Sequence, residues 1–145
     1  MTPRSLLAAV ALSAAVAVAA QSPAALTVRL TGVPSDEGVV LVAVYASDST
    51  WLDTAAVAYY AEPDAEAGEV VVEIPGVAPG RFAVAAVHDA DVSGDMTTGL
   101  FGIPEEAYGF SNGARGTLGP PKFDEAAVAW DGVGEVVVAV KKFGG

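Results

Sequence analysis

The chain has 145 residues with 18 acidic and 7 basic side chains, which gives a formal net charge of −11. A chain of this length can form one domain around a single core. An acidic surface repels phosphate backbones and anionic lipid head groups, so neither nucleic acid nor a membrane surface is expected as a partner. There is no cysteine, which excludes disulfides, thiolate metal sites and a cysteine nucleophile.

The amino-terminal segment has the features of a secretory signal peptide. Arg4 supplies a positive charge, residues 6–20 form an uncharged apolar run, and residues 18–20 are small enough to be followed by cleavage. A membrane-spanning helix needs about 20 apolar residues, and residues 21–23 interrupt the run before that length. An uncleaved anchor is the alternative interpretation.

Cleavage would divide the chain into a signal peptide, residues 1–20, and a single mature domain, residues 21–145. Loss of Arg4 makes the mature domain one charge more negative. No later segment is apolar enough to insert into a membrane. Export without disulfides is typical of a bacterial periplasmic or secreted protein.

The mature chain has the hydrophobic pattern of β-strands. Apolar residues alternate with polar ones, or form short apolar runs, between segments rich in glycine, proline and aspartate. The pattern predicts strands at Leu26–Thr31, Val39–Tyr45, Val57–Ala61, Glu69–Ile74, Arg81–His88, Ala126–Trp130 and Glu135–Lys142. A short helix is the alternative for the third. About seven short strands predict an all-β, antiparallel, immunoglobulin-like or transthyretin-like sandwich.

Residues 88–124 form a connection that is too long for an ordinary turn, and they contain most of the unusual side chains. Long ordered loops in compact domains are usually functional or strongly constrained. We therefore expect the functional residues of this domain to lie in one long ordered loop between two strands.

The start of this loop resembles the first half of a calcium-binding loop. Asp89, Asp91 and Ser93 place side-chain oxygens on alternate residues, Gly94 permits a sharp bend, and the carbonyl of Asp95 offers another oxygen. The alternative is an aspartate-rich turn whose carboxylates accept hydrogen bonds from their own backbone amides.

The second half of the calcium motif is incomplete. Leu100 stands where the calcium motif has a bidentate glutamate, and Thr97 stands at the place of a further ligand. Glu105, Glu106 or Asp124 can complete the coordination only if the loop folds back on itself.

Catalysis by the loop finds little support in the sequence. His88 is the only histidine, and a serine triad would need it beside Ser111 and an aspartate. The neighbours of Ser111 are Phe110 and Asn112, which do not form the turn typical of a nucleophilic serine. A hydrogen-bonded structural histidine at a strand end is the simpler interpretation.

Several side chains of the loop are candidates either for a recognition surface or for a small core that fixes the loop to the sandwich. Burial is favoured for the aromatic rings because water does not stabilise exposed phenylalanine. Arg115 is expected to pair with a loop carboxylate. The candidates are His88, Phe101, Tyr108, Phe110, Asn112 and Arg115.

At these residues the chain resembles a family of secreted bacterial domains of unknown function, family 2141. The resemblance is carried by His88-Asp89, Gly94, residues 102–104 (Gly-Ile-Pro), residues 108–112 (Tyr-Gly-Phe-Ser-Asn) and residues 119–121 (Gly-Pro-Pro). The family pattern has asparagine at 91 and 93, lysine at 95 and aspartate at 97, whereas this chain has Asp91, Ser93, Asp95 and Thr97. The resemblance implies a β-sandwich and implies no activity.

Together these observations predict a secreted or periplasmic β-sandwich that acts as a non-catalytic binding or structural module, with calcium as the candidate cofactor of its aspartate-rich loop. The alternative is a small secreted hydrolase that uses His88 and loop carboxylates. The sequence identifies neither a ligand nor a partner.

Overall fold

The computed structural model describes residues 25–94 and 105–144. The predicted signal peptide lies outside the described residues. In the described part, no helix is long and apolar enough to cross a membrane. The strands there are β1 (Leu26–Val33), β2 (Val39–Tyr45), β3 (Tyr59–Ala61), β4 (Gly68–Ile74), β5 (Gly80–Asp89), β6 (Tyr108–Phe110), β7 (Val128–Trp130) and β8 (Glu135–Ala139). One α-helix, α1 (Phe123–Ala126), and short 3₁₀ helices at Asp48–Thr50, Thr54–Ala56 and Ser111–Gly113 connect them.

The strands form two sheets. The smaller sheet has the order β4-β1-β8, and the larger has the order β3-β2-β5-β6. β7 also belongs to the larger arrangement, because it pairs with the first residues of β5, Gly80–Phe82, while β6 pairs with Ala85–Val87 further along the same edge. The predicted β-sandwich is confirmed.

The main core lies between the two sheets and follows the alternation in the sequence. Leu26, Val28 and Leu30 of β1 are fully buried, whereas the intervening Thr27 and Arg29 are partly exposed. A strand directs successive side chains to opposite faces, so one residue in two reaches the core. The same alternation holds for β8 and for most of β2.

Two features of the fold differ from the antiparallel sandwich with one long loop that the sequence predicts. β1 and β8 pair in parallel, with Thr27 opposite Glu135, whereas the other pairings among the described strands are antiparallel. Part of the predicted loop is regular structure: β6, the 3₁₀ helix that follows it, and α1 all lie between residues 108 and 126. The expected strand at Ala126–Trp130 is shorter, because α1 extends to Ala126.

A second, smaller core covers the outer face of β5. Ala83 is fully buried there against Phe110, Phe123 and Ala126, and the Trp51 ring packs at its side. The indole nitrogen of Trp51 donates a hydrogen bond to the carbonyl of Pro121 at 2.8 Å. Both faces of β5 are therefore covered near Ala83 and Val84.

The two sheets approach each other closely where β6 meets β8. Tyr108 and Lys141 exchange two backbone hydrogen bonds of 2.9 Å, and a Cβ atom on Gly109 would lie 2.0 Å from the carbonyl oxygen of Ala139. Only glycine permits this approach without a shift of the backbone. Gly109 therefore allows β6, at the end of the long connection, to pack closely against β8.

Removal of core methyl groups from β5 should destabilise the domain. Val84→Ala deletes two buried carbons from a residue with no exposed surface, and we expect it to lower the free energy of unfolding by about 1–3 kcal/mol. Val71→Ala on β4 is the matched control, because Val71 is 49% exposed and its truncation should cost no more than about 0.5 kcal/mol. Urea denaturation followed by tryptophan fluorescence measures both, and equal losses would contradict this description of the core.

Candidate functional site

The last two residues of β5 are polar and buried, which is unusual for a strand of this sandwich. His88 is 4% exposed and Asp89 is fully buried. The backbone amide of His88 donates to the carbonyl of Ala107 at 2.8 Å, so the chain after the long connection runs beside this strand end. Buried polar groups need hydrogen-bond partners, and both side chains have them.

The imidazole of His88 is part of the packing between β5 and the β1–β2 turn. Its Nε2 lies 2.8 Å from the carbonyl oxygen of Glu37. Since a carbonyl only accepts, Nε2 carries the proton and donates it. Next to Glu37, a Cβ atom on Gly38 would lie 2.1 Å from the carbonyl oxygen of Asp89, and Gly38 has a φ of +70°. This turn therefore fits closely over the end of β5.

Asp89 organises the turn that follows. One carboxylate oxygen accepts hydrogen bonds from the Ser93 amide at 2.9 Å and the Ser93 hydroxyl at 3.3 Å, and the other accepts from the Gly94 amide at 2.8 Å. Val92, between them, has a φ of 54°. A β-branched residue in this left-handed region is strained, and such strain concentrates at functional sites.

The ionised form of Asp89 is stabilised despite its burial. Burial opposes ionisation, but hydrogen bonds from the Gly94 and Ser93 amides and from the Ser93 hydroxyl favour the anion, and the pKa of Asp89 lies below its usual value. Two amide donors on one carboxylate have this effect because they interact more strongly with the anion than with the neutral acid. The fold thus holds a negative charge at a buried position.

Three carboxylates meet at this turn. One oxygen from each of Asp89, Asp91 and Glu106 lies within 4.8 Å of the other two. Oxygens bound to one calcium ion at about 2.3–2.6 Å lie at most about 5 Å apart, which matches the observed spacing.

The predicted ligands are only partly brought together. Asp89 and Asp91 contribute to the group, whereas the Ser93 hydroxyl donates to Asp89. Asp95 lies outside the described residues. Of the carboxylates considered as additional ligands, Glu106 joins the group, while Asp124 lies on α1 with its carboxylate 2.8 Å from a guanidinium nitrogen of Arg81.

The aromatic candidates belong mainly to the second core. Phe110 is 6% exposed and Tyr108 is partly buried, so burial is confirmed for the first and partial for the second. Phe101 lies outside the described residues.

Arg115 was expected to pair with a carboxylate, but within the described part of the chain its guanidinium lies 5.9 Å from the centre of the Tyr108 ring. Asn112 is exposed and donates to the carbonyl of Glu125.

Ser111 has a structural environment that the sequence did not predict. Its buried hydroxyl accepts a hydrogen bond from the Val84 amide at 2.8 Å and donates to the Ala126 carbonyl at 2.5 Å. It therefore joins β5, the end of β6 and α1. These partners occupy the hydroxyl that a catalytic triad would need.

The chain matches the bacterial family described as "Uncharacterized protein conserved in bacteria (DUF2141)" over residues 28–137. It belongs to the DUF2141 family. The matched part of this DUF2141 domain extends from β1 into β8 and includes all three carboxylates of the turn. The resemblance found in the sequence is thereby confirmed at the level of the family. No curated protein and no solved structure matches the chain.

Loss of the Ser111 hydroxyl should weaken the attachment of α1 to β5. Ser111→Ala leaves the Val84 amide and the Ala126 carbonyl unpaired, and each buried unpaired group costs about 1–3 kcal/mol. Ser49→Ala is the control, since this exposed hydroxyl contacts only Ser47, and it should change stability by at most about 0.5 kcal/mol. Thermal melts of the two variants test the assignment, and a Ser111→Ala melt that coincides with the wild type would refute it.

Proposed function

We propose that this DUF2141 domain is an exported, non-catalytic binding or structural module whose turn after β5 is stabilised by calcium. The observation that carries the proposal is the convergence of Asp89, Asp91 and Glu106 within 4.8 Å. These side chains come from both ends of the connection between β5 and β6, so an ion bound by them would hold the two ends together.

The chemistry of the group favours calcium among common cations. Calcium takes six to eight oxygen ligands in flexible geometry, and the remaining positions can be filled by water and backbone carbonyls. Three neighbouring carboxylates repel each other unless a cation neutralises them.

A non-catalytic role is supported by the environments of the two side chains that could act in hydrolysis. The imidazole of His88 is buried and bonded to the Glu37 carbonyl, and the hydroxyl of Ser111 is bonded to Val84 and Ala126. A general base must reach the proton that it removes, and a nucleophile must reach the substrate. Both groups face partners within the fold.

Calcium binding predicts a measurable change in stability. A site with three carboxylates and no motif glutamate should have a Kd of about 10⁻⁴–10⁻³ M, as in extracellular calcium modules. At calcium tenfold above Kd, the free energy of unfolding should rise by about 1–2 kcal/mol, which raises the Tm by a few degrees relative to chelator. Magnesium should substitute poorly, because it requires a smaller octahedral site.

Two variants at neighbouring glutamates test whether the calcium-dependent shift in Tm arises at the carboxylate group. Glu106→Gln removes one carboxylate without disturbing the hydrogen bonds of Asp89, and it should abolish most of the calcium-dependent shift in Tm. Glu105→Gln makes the same change at the exposed neighbouring residue, outside the carboxylate group, and should retain the shift. Identical melts of the wild-type protein in calcium at ~10 mM and in chelator would exclude the calcium proposal, since that concentration exceeds the expected Kd.

Export predicts a defined amino terminus for the mature protein. Cleavage after the small residues 18–20 should yield a chain that begins near Ala20 or Gln21. Sequencing the amino terminus of protein recovered from the periplasm or medium of a bacterial host checks this expectation. Protein that begins at Met1 and remains in the soluble cytoplasmic fraction would contradict export.

A further inference from the structure

β4 forms a free edge of the smaller sheet. It runs antiparallel to β1, with Leu26 opposite Ile74, and within the described part of the chain it pairs with no other strand. Alternate amide and carbonyl groups of an antiparallel strand point away from its partner, so about half of the β4 backbone groups face outward. Such an edge is a template on which another extended chain can be added.

The free edge is strongly acidic. The outward side chains of β4 are Glu69, Val71 and Glu73, and the preceding segment adds the exposed Asp64 and Glu66.

One cation of the smaller sheet balances part of this charge. The guanidinium of Arg29 pairs with both Glu69 and Glu135, which leaves Glu73 and the acidic residues of the preceding segment without an ion pair among the described residues. The edge therefore carries excess negative charge.

The same charges disfavour pairing between two copies of this chain. Antiparallel pairing of two β4 strands over their full length, Gly68 to Ile74, places Glu69 of each copy opposite Glu73 of the other. Like charges that face each other directly across a strand pair are destabilising. A strand with lysine or arginine at two positions four residues apart would instead place a cation opposite each glutamate.

We propose that β4 binds an extended basic segment of a partner protein, which adds to the smaller sheet as a fourth strand. Backbone hydrogen bonds to β4 would provide affinity, and the cations opposite Glu69 and Glu73 would select the sequence. The proposal rests on the binding role proposed above, but it uses the opposite sheet from the calcium group. Measurements in chelator therefore distinguish failure of this proposal from failure of calcium binding.

The test uses the ¹⁵N-labelled mature chain and a seven-residue peptide of alternating threonine and valine with lysine at the second and sixth positions. Amide shifts on titration should concentrate in residues 68–74. At low ionic strength the lysine peptide should bind at least about tenfold more tightly than the same peptide with glutamates, because two opposite-charge pairs replace two like-charge pairs. Glu73→Gln should weaken binding roughly threefold, whereas Asp48→Asn, an equal charge change at an exposed site away from β4, should not.

A second peptide separates strand addition from simple charge attraction. Methylation of alternate backbone nitrogens removes hydrogen-bond donors and leaves both lysines in place, so this peptide should not bind. Equal binding of the methylated peptide would overturn the proposal, as would the absence of shifts in β4 at millimolar lysine peptide. Concentration-dependent shifts in β4 without any peptide would assign the edge to a second copy of the chain, and would also overturn it.

Discussion

The structure depends on the position of β5, which is paired along both edges and covered over part of both faces. β2 occupies one edge, and β7 and β6 share the other. Val84 faces the main core while Ala83 faces the second core, so successive residues of one strand are buried in different environments. The same burial extends to the polar residues at the end of β5. His88 and Asp89 remain in a buried register after the apolar residues end, and each must find partners within the protein.

The sequence predicted the strands that bury one residue in two, because alternation records which side of a strand faces the core. It did not predict β6, because Tyr108–Phe110 is too short to show an alternating pattern. The strand also contains a glycine, Gly109, which is needed because the carbonyl of Ala139, far along the chain, leaves no room for a side chain. The parallel pairing of β1 with β8 was also missed. Both orientations give the same alternation of side chains, so the hydrophobic pattern alone does not distinguish them.

The candidate site was predicted where its residues are adjacent in sequence and missed where tertiary structure creates it. The spacing of Asp89 and Asp91 indicated a cation-binding turn, and both carboxylates lie in the observed group. The position of Glu106 in the group follows from strand register: Val87 lies opposite Tyr108, so two residues further along the pair Glu106 comes beside Asp89. The sequence did not predict β6, so it did not predict this register either. The alternative interpretation, an aspartate-rich turn whose carboxylates accept their own backbone amides, also describes Asp89, which accepts the amides of Ser93 and Gly94.

The position of β1 between β4 and β8 has a consequence for how the chain acquires its structure. The Arg29 side chain on β1 bonds to the Glu135 carboxylate on the neighbouring β8, although 106 positions separate the two residues in sequence. Contacts between such distant residues form slowly, because the intervening chain must first lose much of its conformational freedom. During synthesis β1 can pair with β4 long before β8 exists, and its other edge then stays open. A chain truncated before β8 would keep that edge permanently, as a surface prone to aggregation.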